Sequence, residues 1–120
     1  TIYLIGIDWG YSTSNTVGCI SMIQEYKIGA NRGRPRIWLE GKRLTAVGIG
    51  RGDRFRTHKV DGGVNIAIDP DGRRKVSGKG DRPIIDIVGA DVKYWGFDIG
   101  DDVEVTYNYK WIFIRRKDDA

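Results

Sequence analysis

Arg34-Pro35-Arg36-Ile37-Trp38-Leu39-Glu40-Gly41-Lys42-Arg43-Leu44-Thr45-Ala46-Val47-Gly48-Ile49-Gly50-Arg51-Gly52-Asp53 decides how this chain is read, because its pattern returns later in the chain, starting at Arg82. Arg34-Pro35 falls on Arg82-Pro83, Ile37 and Leu39 fall on Ile85 and Ile87, and Leu44 falls on Val92. Gly41, Gly48 and Gly52-Asp53 fall on Gly89, Gly96 and Gly100-Asp101. Further along, Ile49 falls on Phe97, Phe55 on Val103, Val64 on Ile112 and Ile66 on Ile114. One constant shift, the one that carries Arg34 onto Arg82, makes all these matches, and no gap is needed. Glycines and prolines recurring in register with an apolar pattern mark an internal repeat.

Each copy reads the same way. The alternation in Arg36-Ile37-Trp38-Leu39 and Ile84-Ile85-Asp86-Ile87 predicts a strand. Apolar residues three apart in 42–47 and 90–95 predict a short helix, ended by Gly48 or Gly96. A Gly-Asp turn follows, and alternation resumes in Phe55-Arg56-Thr57 and Val103-Glu104-Val105. A turn at Asp61-Gly62-Gly63 or Asn108-Tyr109-Lys110 leads to a last strand, residues 64–68 or 111–114. The unit is strand–helix–strand–strand, and roughly 35 residues cannot close a core alone. The expected fold is therefore mainly β (α+β), with two such repeats packed as a pseudo-dimer in one chain. Residues 34–68 form the first repeat and 83–116 the second, within a single domain of residues 1–120.

Between the copies, residues 69–82 read as a basic linker. Asp69-Pro70-Asp71-Gly72 is a turn, since proline fixes φ and glycine accepts φ > 0, and a mobile basic loop follows it. Residues 1–33 read as an N-terminal strand and extended segment: strand at 1–7, polar turn-like chain at 8–16, strand or extended chain at 17–28, and a loop at 29–33.

Composition sets the outer limits. A chain of 13.5 kDa with 40% hydrophobic and 30% charged residues is one globular domain, not a disordered tail. No apolar run approaches the ~20 residues that span a bilayer. The opening residues lack a basic segment and a cleavage site, so no secretory leader and a cytoplasmic location are expected. One cysteine, Cys19, cannot form an internal disulfide, and Cys19 with His58 cannot make the usual zinc site. No metal and no cofactor are expected.

The charge is uneven. Residues 1–31 carry −1, residues 32–82 carry +8 from 14 basic and 6 acidic side chains, and residues 83–120 carry −3. Arginine outnumbers lysine ten to four in the middle segment. Arginine makes bidentate contacts with phosphate and with guanine, which lysine does not. Such a footprint predicts a polyanionic partner, with DNA the expected nucleic acid.

The quoted stretch resembles the core of SymE-type proteins: a proline, an alternating strand, Gly-Lys, a short helix reaching Ala-Gly-Phe, then Gly, an optional Asp and a second alternating strand of the form x-Val-x-Val. Pro83 and Tyr94-Trp95-Gly96-Phe97-Asp98-Ile99-Gly100-Asp101-Asp102-Val103 are similar, and Ile2-Tyr3-Leu4-Ile5-Gly6 resembles the N-terminal strand of the same proteins. The resemblance implies membership of the AbrB/MazE swapped-hairpin superfamily, and hence a swapped-hairpin barrel. It also implies DNA binding, as in transcription factors and antitoxins, or the RNA cleavage proposed for SymE-type toxins. In that family DNA contacts come from the first strand and the loops beside it, which matches Arg34 and Arg36. This chain departs from the pattern in carrying both copies and in making the second acidic.

Twelve residues form the expected nucleic-acid site: Arg34, Arg36, Trp38, Lys42, Arg43, Arg51, Arg54, Arg56, Arg73, Arg74, Lys75 and Lys79. Arg36, Arg54 and Arg56 alternate so as to face outward, and Trp38 shares a strand side with Arg36, which gives a stacking and phosphate-contact platform. Arg73, Arg74, Lys75 and Lys79 lie in the loop, whose glycine spacing misses that of a phosphate-binding P-loop. Tyr107, Tyr109 and Trp111 in the acidic half read either as a protein-binding surface or as packing against the first copy. His58 lacks an orienting carboxylate in sequence, so no catalytic residue is expected. Two alternative functions stay open: a phage- or plasmid-type inhibitor that docks on a nucleic-acid-processing enzyme, and a SymE-like endoribonuclease toxin.

Overall fold

The computed structural model describes residues 21–117 and the backbone of residues 2–5. The expectations for residues 8–16, and for Cys19, lie outside the described residues. Among those residues the order is β1 (Ile2–Ile5), β2 (Ser21–Lys27), β3 (Gly29–Asn31), β4 (Arg34–Glu40), α1 (Lys42–Ala46), β5 (Arg54–Val60), β6 (Gly63–Ile68), β7 (Arg74–Lys75), β8 (Ser77–Lys79), β9 (Arg82–Val88), α2 (Ala90–Tyr94), β10 (Asp102–Asn108) and β11 (Trp111–Arg116). The chain is mainly β. All pairings are antiparallel and make two sheets, one in the order β1-β2-β10-β11-β6-β5-β7 and one in the order β3-β4-β9-β8. β2 runs into β3 across Ile28 alone, and β7 into β8 across Val76 alone, so two bent strands pass from one sheet to the other.

Alternation decides the faces. On β4, Pro35, Ile37 and Leu39 are buried while Arg34, Arg36, Trp38 and Glu40 point outward. Ile85 and Ile87 do the same on β9, Val64 and Ile66 on β6, Val103, Val105 and Tyr107 on β10, and Ile112 and Ile114 on β11. These side chains form one buried cluster, each contributing roughly 1.5–3 kcal/mol by leaving water.

The helices have five residues each and could not persist alone. One buried residue, Leu44 or Val92, anchors each to the core. The Ile49 N–H donates to the Leu44 carbonyl at 3.0 Å and the Gly48 N–H to the Thr45 carbonyl at 3.0 Å; Phe97 and Gly96 repeat this on Val92 and Lys93 at 3.2 and 2.9 Å. The closure requires a left-handed residue, and Gly48 and Gly96 supply it at φ 80 and 94. The helices stop one residue before their expected ends because Val47 and Trp95 act as caps. The Gly-Asp turns are likewise built alike: the Asp53 carboxylate accepts from the Gly50 N–H and that of Asp101 from the Asp98 N–H, both at 2.8 Å.

Every element from β4 to β6 has a counterpart from β9 to β11 whose bounds follow by the shift that carries Arg34 onto Arg82. β4 meets β9 with Trp38 opposite Asp86, and β6 meets β11 with Asn65 opposite Phe113. In each central pair the two residues are themselves related by that shift, the register that two copies related by a twofold axis would have.

Two expected loops turn out otherwise. Residues 69–82 are not a free linker: they carry β7 and β8, which the same shift relates to the end of β2 and to β3. Buried Val76 explains the order. Its N–H donates to the Asp53 carbonyl at 2.8 Å and its carbonyl accepts from the Gly52 N–H at 2.9 Å, as Ile28 does with Asp101 and Gly100, both at 2.9 Å. Residues 29–33 form β3 and a tight turn through Arg32 and Gly33, at φ 55 and 78, instead of a loop.

Candidate nucleic-acid interface

The expected Arg-rich face divides between two sheets. Arg34, Arg36 and Trp38 lie on the outward face of the four-stranded sheet. The Arg36 guanidinium stacks 4.3 Å above the Trp38 ring, but its Nε and Nη2 also donate to Asp86 at 2.9 and 3.1 Å. Asp86 therefore offsets the charge that the platform was expected to present. Arg34 is exposed, and Lys42 and Arg43 belong to α1, the first exposed and the second half-buried. Arg54 and Arg56 are exposed on the other sheet, because a strand's alternation fixes its side but not the sheet it joins.

What the structure does bring together is the corner where β5, β7 and β8 run. Arg51, Arg54, Arg56, Arg73, Arg74, Lys75 and Lys79 converge there from residues 51–59 and 73–79. Three of them are engaged: Arg56 with Asp69, Arg74 with Asp91, and Arg51 through Nη1 to the Gly80 carbonyl at 2.9 Å. Asp69 also accepts from the Asp71 N–H, and these hydrogen bonds hold its carboxyl below the usual 3.8, the backbone one contributing most. Among the described residues Arg54, Lys59, Arg73, Lys75 and Lys79 make no ion pair. Lys59 was not among the expected site residues. Its Nζ lies 5.7 Å from the centroid of the exposed Tyr94 ring, on α2.

The contrast with the other end is large. Residues 51–59 and 73–79 carry a net +7, whereas the positions that correspond to them in the other half, 99–107 and 25–31, carry −3. Asp101, Asp102 and Glu104 stand where Asp53, Arg54 and Arg56 stand. One backbone frame thus bears opposite charge at its two ends.

Of the three aromatic residues expected at a protein-binding surface, Tyr107 is a correction. It is 1% exposed and its Oη donates to Gln24 Oε1 at 2.6 Å. It alternates with Val103 and Val105 toward the core, and burial pushes its phenol well above the usual 10.0. Tyr109 and Trp111 are exposed, but Tyr109 sits in the turn, against Gly48, and Trp111 faces outward from β11. The three do not share a face. His58 is exposed on β5, opposite Asn65, and no described residue hydrogen-bonds its ring.

Among the described residues no group of three or more His, Cys, Asp or Glu side chains is placed to hold a metal ion, and no helix is long and apolar enough to cross a membrane. Comparison with protein-family models, with curated proteins and with solved structures finds no significant match to the chain.

Proposed function

We propose that this chain binds nucleic acid, DNA first, through the basic corner formed by β5, β7 and β8. The observation that carries the reading is the charge contrast: +7 at this corner against −3 at the corresponding positions of the other half. A fold needs no such contrast, since the same turns and strand pairings form with either sign. Five of the cations are unpaired among the described residues, so a phosphate backbone would gain them without breaking an internal ion pair. Arg34 and the Arg36–Trp38 stack lie on another face and are assigned at most a flanking contact.

We further propose that the two strand–helix–strand–strand units are copies of one element, paired as an intramolecular pseudo-dimer of the AbrB/SymE-like swapped-hairpin kind. The common shift between the element bounds, the self-equivalent central pairs and the bent strands that join the sheets support this reading.

The test is the salt dependence of binding to a fluorescent 20-base-pair duplex. If four or five phosphates are neutralised, log K against log salt should slope at about −4, and affinity should fall by roughly 200-fold or more between 50 and 200 mM salt. Replacing Arg54, Arg73, Lys75 and Lys79 together by Glu should remove binding. A flat salt profile, or unchanged binding by that variant, would sink the proposal.

A further inference from the structure

The two halves differ in how their outer strands are covered. β2 lies along β10, with Tyr26 opposite Val103, Gln24 opposite Val105 and Met22 opposite Tyr107. The corresponding edge of β5 is covered only where Lys75 and Arg74 meet Arg54 and Phe55. Beyond that the chain leaves the edge. Asp69 to Gly72 turn back, with the Gly72 N–H donating to the Asp69 carbonyl at 2.8 Å, and Gly72 packs so closely on the Phe55 backbone that a Cβ there would collide with it.

The N–H of Asp69 donates to the Arg54 carbonyl, on the β6 side. Alternate residues of an antiparallel strand point their backbone groups to opposite neighbours. Thr57 and Lys59 therefore direct theirs away from β6, and no described residue pairs with them. A groove of about 750 Å³ lies along this edge, walled on its far side by Asp91, Tyr94 and Trp95. It is the place that β2 fills in the other half. Thr57 and Lys59 stand where Val105 and Tyr107 stand there, and polar side chains suit a wall that meets water in the free protein.

We propose that this edge receives the extended, acidic C-terminal tail of a partner protein, added to β5 as an antiparallel strand in the register that β2 uses on β10. Sheet edges accept such strands through main-chain hydrogen bonds. Direction and length follow from the copy. A strand in that register runs from Val60 toward Thr57 and then meets Gly72 and Arg73, where the next residue would be. It must end there, which places its terminal carboxylate beside Arg73. The residue opposite Lys59 points inward, as Met22 does, and can be apolar. The residues opposite His58 and Val60 point outward. Arg56, His58, Lys59, Arg73 and Arg74 line the groove against one carboxylate, Asp91, which favours acidic outward residues.

The probe is a fluorescein-labelled peptide, Gly-Ser-Glu-Met-Glu-Gln, with a free carboxyl terminus. Saturable binding to the full chain is expected, weaker by about tenfold when the peptide is amidated, as for loss of one charge-assisted contact. Amide hydrogen exchange at Thr57 and Lys59 should slow at least about tenfold when peptide is added. Thr57→Pro removes one edge N–H without removing a bond to β6, and should weaken the peptide at least about tenfold while leaving duplex DNA binding unchanged. Absence of peptide binding, equal binding by folded Thr57→Pro, or unchanged exchange at both amides overturns the proposal. Slow exchange at both amides in the free protein also overturns it, since the chain or a second copy would already cover the edge. DNA binding is measured on the same samples, so failure here is distinct from failure of the nucleic-acid reading.

Discussion

Val76→Ala distinguishes an ordered structural joint from a linker. Val76 is 1% exposed and bonds through both backbone groups to the turn before β5. The substitution removes two carbons from the core, about 0.8 kcal/mol each in transfer free energy. A residual cavity on the order of 40–50 Å³ adds about 1 kcal/mol at ~24 cal/mol per Å³. The expected loss is about 2–3 kcal/mol. For a chain of this size it lowers the thermal midpoint by roughly 8–12 °C, at about 4 °C per kcal/mol. Calorimetry and urea unfolding measure it, with an unchanged urea slope showing that the effect lies in stability. Ile28→Ala, at the matching joint, should cost at least as much, and Ile28 bonds to a different turn, through Asp101 and Gly100. A midpoint shift within about 2 °C for Val76→Ala would mean that 69–82 behaves as a tether, and the correspondence between the two joints would fail with it.

Other outcomes follow from the same geometry. Gly48→Ala should destabilise by more than Gly96→Ala in paired melts: both sit at positive φ, but an added Cβ meets the Tyr109 ring at Gly48 and only the movable Arg116 guanidinium at Gly96; equal losses would remove the role assigned to Tyr109. Tyr107 ionises in the unfolded chain near 10.0 but higher in the fold, because burial raises it. The unfolded state thus releases its proton first, so stability is complete below pH 10 and falls as pH rises above it. Tyr107→Phe should lose about 1 kcal/mol at neutral pH, from the bond to Gln24, and show a shallower alkaline decline in urea midpoints; an unaltered decline would place the titration elsewhere.

The offset was legible because glycine and proline mark backbone positions that few other residues can occupy. Gly41, Gly48 and Gly52 have left-handed φ, as do Gly89, Gly96 and Gly100, and those anchors set the bounds of the larger strands. β7 and β8 were hidden because the shift matches them to residues 26–31 only at Lys27-Ile28 against Lys75-Val76, with no glycine in register and a turn-rich surrounding sequence. β3 was hidden between Gly29 and Gly33, which read as loop residues although one starts a strand and the other makes a hairpin turn. The inward side of Tyr107 was legible from its spacing with Val103 and Val105. Acidic neighbours at Asp98, Asp101 and Glu104 suggested a surface instead, yet they lie in a turn or on the strand's other side. The basic side chains were legible singly. Their division between two sheets was not, because it depends on which strands pair across the chain. Lys59 and the open edge depend on where Gly72 turns, a tertiary event with no periodic signature.

Trp38 opposite Asp86 has a consequence for partner choice. If each half were a separate polypeptide, a self-pairing of first halves would set Trp38 against its own copy and Arg36 across from Glu40 instead of beside Asp86. A self-pairing of second halves would set two Asp86 carboxylates across from each other, a destabilising neighbour pair in an antiparallel sheet. The Arg36–Trp38 stack lies within one strand, and in the mixed pairing it is Asp86 that takes the bidentate ion pair. The strongly positive and the acidic ends add long-range attraction in the same sense. The central strand pair thus works against a match of two second halves, and it is the long-range charge that favours the mixed pairing over a match of two first halves.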